Sequence, residues 1–145
     1  MIERLTNPRP AQLDALMAIW LSGNLEAHAF VPAGYWRANA AAVRQALPVA
    51  TLYVAAEAGR IVGFAGVQDG YVAGLFVAAQ ARDRGVGHQL VAVLQATYPR
   101  LTLHAFAQNR GAVRFYRREG FTVTQVQAAA ELPDQAELEM TWMRP

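Results

Sequence analysis

Two glycines, Gly85 and Gly87, stand where an apolar run ending at Val77 gives way to an apolar repeat with helical spacing. This order of strand, short polar loop and helix places several backbone N–H groups beside the end of the strand. The free N–H groups and the positive dipole end of a helix N-terminus bind phosphate well. Because a side chain at either glycine would hold a pyrophosphate off the backbone, the stretch predicts a phosphate site. The alternative is that the tight turn alone requires the glycines.

A second block, residues 109–121, reads Asn-Arg-Gly-Ala-Val-Arg-Phe-Tyr-Arg-Arg-Glu-Gly-Phe. Together the two blocks resemble the signatures of the GNAT superfamily of acyl-CoA-dependent N-acyltransferases. Arg82, Gly85 and Gly87 match the first signature, Arg/Gln-x-x-Gly-x-Gly/Ala. The second signature is matched at Asn109, Ala112, Phe115, Tyr116, Gly120 and Phe121. The resemblance implies an N-acetyltransferase that uses acetyl-CoA.

The fold implied by the resemblance is of the α/β class. It is a mixed, mostly antiparallel seven-stranded sheet flanked by about four helices, in the order β-α-α-β-β-β-α-β-α-β-β. In this family strands 4 and 5 run parallel and then splay apart, and acetyl-CoA lies in the cleft. Strand 4 would hold the pantetheine and acetyl carbonyl through its backbone, and the N–H groups from Asp83 to His88 would hold the pyrophosphate. The implied cofactor contacts are Leu75, Phe76, Val77, Arg82, Asp83, Arg84, Gly85, Val86, Gly87, His88, Asn109 and Tyr116. Asp83 stands where many members have glycine, so we expect its side chain to point outward.

Acetyl transfer from a thioester to an amine needs a neutral amine and a proton for the departing thiolate. Tyr116 matches the family tyrosine that protonates the CoA sulfur, and a phenol with a reference pKa of about 10 suits that role. The alternative is that Tyr116 is a core aromatic residue of its helix. The sequence contains no cysteine, which excludes a cysteine-linked intermediate and favours direct attack in a ternary complex.

The second catalytic candidate is a general base, for which the sequence offers several residues. His104 lies on predicted strand 5, where some family members carry a glutamate base, and imidazole titrates in the useful range. Strand alternation groups it with Phe106, so we expect it to face the cleft; a hydrogen-bonded strand histidine is the alternative. Glu26, His28 and a chain of water molecules are further candidates.

An aromatic-rich connector, residues 26–36, joins the first two predicted helices and lies near the acceptor in the implied fold. The expected acceptor contacts are Glu26, His28, Phe30, Tyr35 and Trp36; packing of helices onto the sheet is the alternative for the aromatic residues. The connector also resembles a small bacterial subgroup that contains the YjaB proteins, described as protein-lysine acetyltransferases. The acceptor is expected to be a primary amine, with protein lysine, an N-terminal amine and a small-molecule amine all open. The rival function is a catalytically weak acyl-CoA-binding regulatory or interaction module.

Periodicity and turn residues predict the individual elements. The first helix is predicted over residues 11–22, with Gly23 and Asn24 ending it, and Gly74 predicts a bulge in strand 4. The other predicted helices span residues 35–46, 85–97 and 110–119. The predicted strands span residues 2–5, 51–56, 61–67, 71–77, 101–107, 121–129 and 138–143.

Composition bounds the remaining expectations. A chain of 145 residues, 54% hydrophobic and 17% charged, fits one domain over residues 1–145 with a packed core. With no cysteine and three histidines without ligand spacing, no metal site is expected, and the net charge of +2 does not indicate a nucleic-acid partner. No apolar run reaches the length of a membrane span and no leader opens the chain, so a cytoplasmic bacterial protein without membrane contact is expected. We expect a monomer or a homodimer.

Overall fold

The computed structural model describes residues 1–145 as one seven-stranded sheet with helices on both faces. The strands are β1 (Ile2–Leu5), β2 (Thr51–Glu57), β3 (Arg60–Gln68), β4 (Tyr71–Val77), β5 (Arg100–Phe106), β6 (Thr122–Ala128) and β7 (Ala136–Met143). The helices are α1 (Pro10–Ala27), α2 (Ala33–Ala46), α3 (Val86–Thr97) and α4 (Arg110–Arg118), with short 3-10 turns at Leu47–Val49 and Ala79–Ala81. The predicted order of elements and the predicted fold class are confirmed.

The strands lie in the order β1-β2-β3-β4-β5-β7-β6, and every neighbouring pair is antiparallel except β4 and β5. The parallel pairing of β4 with β5 consists of two residue pairs, Tyr71 with Thr102 and Val72 with Leu103. Beyond Val72 the strands separate, so β4 keeps its partner β3 on one side and has none on the other. This separation opens the sheet in its middle.

The bulge predicted in β4 is present, and its extra residue is Ala73, next to the predicted Gly74. Gly74 pairs with Gly66, whereas Val72 pairs with Val67, so Ala73 is the extra residue of β4. A bulge increases the local twist of a strand. It therefore lies where β4 turns away from β5.

Two apolar clusters, one on each face of the sheet, hold the helices in place. The cluster around Leu90, Leu94 and Leu101 packs α3 and α4, and the cluster around Leu16 and Phe64 packs α1 and α2. Alternate residues of the strands serve the two clusters, as a sheet covered on both faces requires. None of the helices combines the length and the apolarity needed to cross a bilayer.

The predicted end of the first helix at Gly23 and Asn24 is wrong, because α1 continues to Ala27. A Cβ on Gly23 would lie 3.1 Å from Cδ1 of Phe76, so the glycine admits that ring rather than ending the helix. Asn24 is buried, and its Nδ2 donates to the Trp20 carbonyl at 2.9 Å. Both residues face inward and pack within a continuous helix.

Candidate active site

A cleft of about 740 Å³ lies beside the end of β4 that has parted from β5. Both sequence blocks reach it, because the end of α1, β4, the loop before α3, the first turn of α3 and the length of α4 all form its wall. The predicted site residues that line it are Glu26, His28, Leu75, Phe76, Val77, Arg82, Asp83, Gly85, Val86, Gly87, His88, Asn109 and Tyr116. The predicted site residues that do not line it are Phe30, Tyr35, Trp36, Arg84 and His104.

The loop that enters α3 contains two residues with left-handed backbone. Asp83 has a φ of 61° and Gly85 a φ of 82°. A Cβ on Gly85 would meet nothing within 4 Å, so its φ and not crowding favours glycine there. Gly85 is the N-cap of α3, and no side chain caps that helix. The first N–H groups of α3 are therefore available to an anion in the cleft.

Glycine is favoured at position 87 for a different reason, which is lack of space for a side chain. A Cβ there would lie 3.1 Å from Cζ of Phe115 and 3.9 Å from Cγ2 of Val77. Phe115 packs edge-on against Tyr116, with ring centroids 5.1 Å apart. Gly87 therefore allows α3 to lie close to α4, and this contact helps to position Tyr116.

Tyr116 lies in the cleft wall with 9% of its surface exposed. Its ring packs between Phe115 and Phe121, and its hydroxyl makes no hydrogen bond within the chain. Burial raises the pKa of Tyr116 above the ordinary phenol value. The hydroxyl therefore keeps its proton at neutral pH and has no internal partner competing for it.

Asn109 connects α4 to the end of α1. Its Oδ1 accepts from the Ala112 N–H at 3.2 Å, which makes Asn109 the N-cap of α4, and its Nδ2 lies 3.1 Å from Nε2 of His28. Because an amide nitrogen only donates, Nε2 of His28 accepts and the imidazole proton lies on Nδ1. Burial lowers the pKa of His28, and the nearby Asn24 backbone offsets part of this effect. His28 is thus neutral, and its buried Nδ1 has no hydrogen-bond partner.

Most aromatic residues of the connector support His28 and do not form the cleft wall. Its imidazole stacks on Trp36 with ring centroids 5.1 Å apart, and Phe30 and Phe106 meet it edge-on. Trp36 is itself buried and also contacts Trp20. These contacts hold the connector against the end of β5.

His104 lines a second cavity of about 340 Å³, on the face of the sheet that carries α1 and α2. Its Nδ1 lies 3.1 Å from the Tyr71 hydroxyl and 3.9 Å from Glu137, and its Nε2 lies 3.9 Å from Glu139. The cavity is lined by Tyr35, His104, Phe106, Gln127, Ala128, Ala129, Ala130, Glu131, Leu132 and Glu137. Contact between His28 and Phe106 separates it from the cleft.

Hydrogen bonds to carboxylates hold three side chains of the loop and of α3. Arg82 pairs with Glu26 at 2.6 Å and also donates from Nε to the Val77 carbonyl at 3.2 Å. Arg84 pairs with Glu57 at 2.7 Å, which holds it outside the cleft wall. His88 lies 2.7 Å from Glu119, the C-cap of α4.

Several cleft residues were not predicted from the sequence. They are Gly23, Ala27, Ala81, Gly111, Ala112, Phe115, Arg118 and Glu119. Ala112, Phe115 and Glu119 repeat at helical spacing with Tyr116, so the face of α4 that carries the tyrosine could have identified them. Gly23 and Ala27 gave no such signal, because their place depends on how α1 crosses the sheet.

Comparison with known proteins identifies the family to which this cleft belongs. Residues 28–132 match the family model described as an acetyltransferase (GNAT) domain. The chain belongs to the GNAT acetyltransferase family. It is an acyltransferase, and acetyl-CoA-dependent N-acetyl transfer is the reaction of its family.

Its bacterial relatives include two enzymes of Escherichia coli strain K12. The peptidyl-lysine N-acetyltransferase YiaC is 35% identical over 115 residues, which cover 78% of this chain and 79% of YiaC. The peptidyl-lysine N-acetyltransferase YjaB is 34% identical over 125 residues, covering 86% of this chain and 85% of YjaB. The solution structure of apo-form YjaB covers 100% of this chain and 98% of YjaB, with a TM-score of 0.85. The GNAT fold is also shared with an aminoglycoside 6′-N-acetyltransferase complexed with coenzyme A, at 16% identity and a TM-score of 0.76, over 100% of this chain and 99% of that one.

Proposed function

We propose that this enzyme transfers the acetyl group of acetyl-CoA to the side-chain amine of lysine residues in proteins, by direct attack in a ternary complex. The observation that carries the proposal is the cleft itself, where an unpaired strand edge, an uncapped helix N-terminus and the unpartnered Tyr116 hydroxyl meet. The names of YiaC and YjaB, both peptidyl-lysine N-acetyltransferases, support lysine as the acceptor.

The cofactor would lie along β4 with its pyrophosphate at α3. The backbone of Leu75, Phe76 and Val77 has hydrogen-bonding groups without a strand partner, which suit the amides of pantetheine and the thioester carbonyl. The loop from Asp83 to His88 would hold the pyrophosphate through N–H groups. The amide Nδ2 of Asn109 has a second hydrogen beyond the one that it gives to His28. Bound in this way, acetyl-CoA supplies an activated acyl group.

Tyr116 would supply the proton that the departing CoA sulfur needs. Tyr116 lines the cleft, and its hydroxyl, which makes no hydrogen bond to another group of the chain, holds its proton at neutral pH because burial raises its pKa. Carbon–sulfur bond cleavage leaves an electron pair on sulfur, and a nearby O–H neutralises it as it develops.

The attacking lysine must lose a proton before it can act as a nucleophile. With a reference pKa of about 10.4, holding it neutral at pH 7 costs about 4–5 kcal/mol. Glu26 and His28 lie on the cleft wall, and His104 lies in the second cavity, so each remains a candidate for taking that proton directly or through water. Desolvation of the amine on entry would lower its pKa and supply part of the same effect.

The second cavity is the proposed entrance for the lysine side chain. Phe106 and Leu132 provide an apolar wall for the aliphatic stem, and Glu131 and Glu137 provide carboxylates for the ammonium group. The cavity meets the cleft at the contact between His28 and Phe106. A lysine that passes this contact would reach the thioester from the side opposite to α3.

Calorimetry combined with a turnover assay tests the proposal. We expect saturable binding of acetyl-CoA and of CoA and none of NAD, followed by release of CoA that depends on a lysine-containing peptide. Mass spectrometry should place the added acetyl group on the lysine amine. Binding without lysine-dependent release of CoA would refute the proposed acceptor and favour a binding module.

A further inference from the structure

The ion pair of Glu26 and Arg82 forms part of the wall of the cleft that the cofactor would fill. Glu26 lies in the last turn of α1, and Arg82 begins the loop that leads to α3. Their atoms Oε2 and Nη1 are 2.6 Å apart, and both residues line the cleft. A guanidinium binds a carboxylate and a phosphate with the same fork of donors. The carboxylate of Glu26 thus occupies a donor that a pyrophosphate oxygen would use.

We propose that Glu26 and the cofactor pyrophosphate compete for Arg82, so that cofactor binding frees Glu26 to bind the ammonium group of the acceptor. This proposal rests on the proposed function, since it assumes that acetyl-CoA fills the cleft. It makes Glu26 a binding residue for the second substrate that is available only after the first has bound.

The surroundings of Glu26 explain why the freed carboxylate would bind a cation. Glu26 precedes the final residue of α1, and the helix has no basic residue in its last turn. A negative charge at a helix C-terminus is unfavourable, because that end of the helix dipole is also negative. Arg82 is the partner that offsets this charge. Once the Arg82 guanidinium binds the pyrophosphate, an incoming ammonium group would take its place beside Glu26.

Arg82 keeps a second contact that would survive the exchange. Its Nε donates to the Val77 carbonyl at 3.2 Å, at the last residue of β4. This bond holds the guanidinium between strand and loop while its Nη1 changes partner. The exchange therefore requires only a displacement of the Glu26 side chain, which is 52% exposed, because the pyrophosphate would meet Nη1 where it already lies.

A second ion pair on the same loop provides a matched control. Arg84 pairs with Glu57 at 2.7 Å, and the exposed fractions of these side chains, 52% and 42%, resemble the 38% and 52% of Arg82 and Glu26. Arg84 does not line the cleft. Glu57→Gln therefore removes one negative charge near the same loop without freeing a donor inside the cleft.

Calorimetric titration with acetyl-CoA tests the competition. An exposed ion pair contributes about 0.2–1 kcal/mol, so Glu26→Gln should tighten acetyl-CoA binding by about 1.4- to fivefold, while Glu57→Gln should leave it unchanged. In an Arg82→Gln background, Glu26→Gln should have no effect on acetyl-CoA affinity. Weaker or unchanged binding by Glu26→Gln with Arg82 in place would overturn the competition. So would equal tightening by Glu57→Gln.

Steady-state kinetics with a lysine peptide tests the second half of the proposal. At saturating acetyl-CoA, Glu26→Gln should raise the KM for the peptide several-fold, although it binds the cofactor more tightly. An unchanged peptide KM would overturn the role of freed Glu26. Failure of the wild-type protein to bind acetyl-CoA at all would instead refute the proposed function, so the two failures are distinguishable.

Discussion

The cleft and the second cavity differ in the kind of chemical group that they offer to a ligand. The cleft includes backbone groups that no other part of the chain binds, namely the unpaired edge of β4 and the uncapped first turn of α3. The second cavity is lined by residues from the connector, β5, β6, the β6–β7 loop and β7, with the side chains of Tyr35, His104 and Glu137 among them. Backbone groups are the same for every residue type, so substitutions change the ligand of a backbone site little. Side chains do change with substitution, so a site lined by side chains can acquire a different ligand. This difference fits the proposed roles of the two regions, cofactor binding in the cleft and acceptor entry through the second cavity.

The two regions also differ in the sign of the charged residues around them. Helix α4 beside the cleft carries four arginines, Arg110, Arg114, Arg117 and Arg118. Residues 121–143, which include the β6–β7 loop, carry four carboxylates, Glu131, Asp134, Glu137 and Glu139, and no arginine. An anionic cofactor and a cationic acceptor would each meet a favourable potential.

The largest effect is expected from a group that would act on the reacting atoms. Tyr116→Phe should lower kcat about a hundredfold or more, since a positioned general acid contributes about 10²–10⁴-fold. The Kd for acetyl-CoA should stay near its wild-type value, because the ring and its packing remain. Stopped assays of CoA release and calorimetry measure both quantities. Tyr98→Phe, which removes a hydroxyl bonded to Tyr53, is the control and should keep the wild-type kcat.

The backbone character of the cleft is tested at Gly85. Gly85→Glu should weaken acetyl-CoA binding about a hundredfold, because a left-handed φ disfavours the residue and its charge repels the pyrophosphate. Gly85→Ala carries the conformational effect without the charge and should cost less. Gly34→Glu adds the same side chain on α2 away from the cleft, with nothing within 4 Å, and should bind normally. Normal binding by folded Gly85→Glu would contradict a phosphate site at α3.

The side-chain character of the second cavity is tested at Glu137. Glu137→Gln should raise the KM for a lysine peptide about two- to fivefold and leave acetyl-CoA affinity unchanged, because one partly exposed charge contributes about 1 kcal/mol. The effect should shrink as salt is added. Glu3→Gln, on β1 at the opposite edge of the sheet, is the control. A change in acetyl-CoA affinity with no change in peptide KM would contradict the proposal that the second cavity binds the acceptor and the cleft binds the cofactor.

The smallest effect is expected at His28, on the boundary between the regions. Burial lowers its folded pKa below the ordinary value of 6.5, so the unfolded chain binds a proton that the folded chain does not. The free energy of unfolding should therefore fall as the pH drops below 6.5. Above that pH, His28 should cause no loss of stability. Thermal unfolding at several pH values should show a shallower decline in His28→Gln. An equally steep decline in that variant would assign the pH dependence to other groups.

The residues of the cleft around Gly85 and Tyr116 were predictable from sequence because they belong to continuous local patterns. Gly85 precedes a helix and follows a strand within a few residues, and Tyr116 stands in a continuous motif. Their roles stay predictions, but their meeting in one cleft follows from the element order. The same local reasoning misread Gly23, which is small to admit Phe76 from a distant strand.

The position of His104 shows where local reasoning ends. Alternation correctly groups His104 with Phe106, since both line the second cavity. It does not tell whether that face of β5 borders the cleft. That depends on the crossing of α1 and on the contact between His28 and Phe106, which join residues far apart in the sequence. The partner of Arg84 was unpredictable for the same reason, because Glu57 lies on another strand.

The early separation of β4 from β5 also affects how the molecule behaves towards its own copies. Unpaired strand edges normally promote self-association, because a strand of another chain can add to them. Here the free edge from Ala73 to Val77 lies in the middle of the sheet, flanked by β5 and the helices, and not at its rim. A foreign strand would have to enter between two strands of a folded sheet. The fold thus leaves these hydrogen-bonding groups accessible to a slender ligand but prevents a strand of another chain from pairing with them.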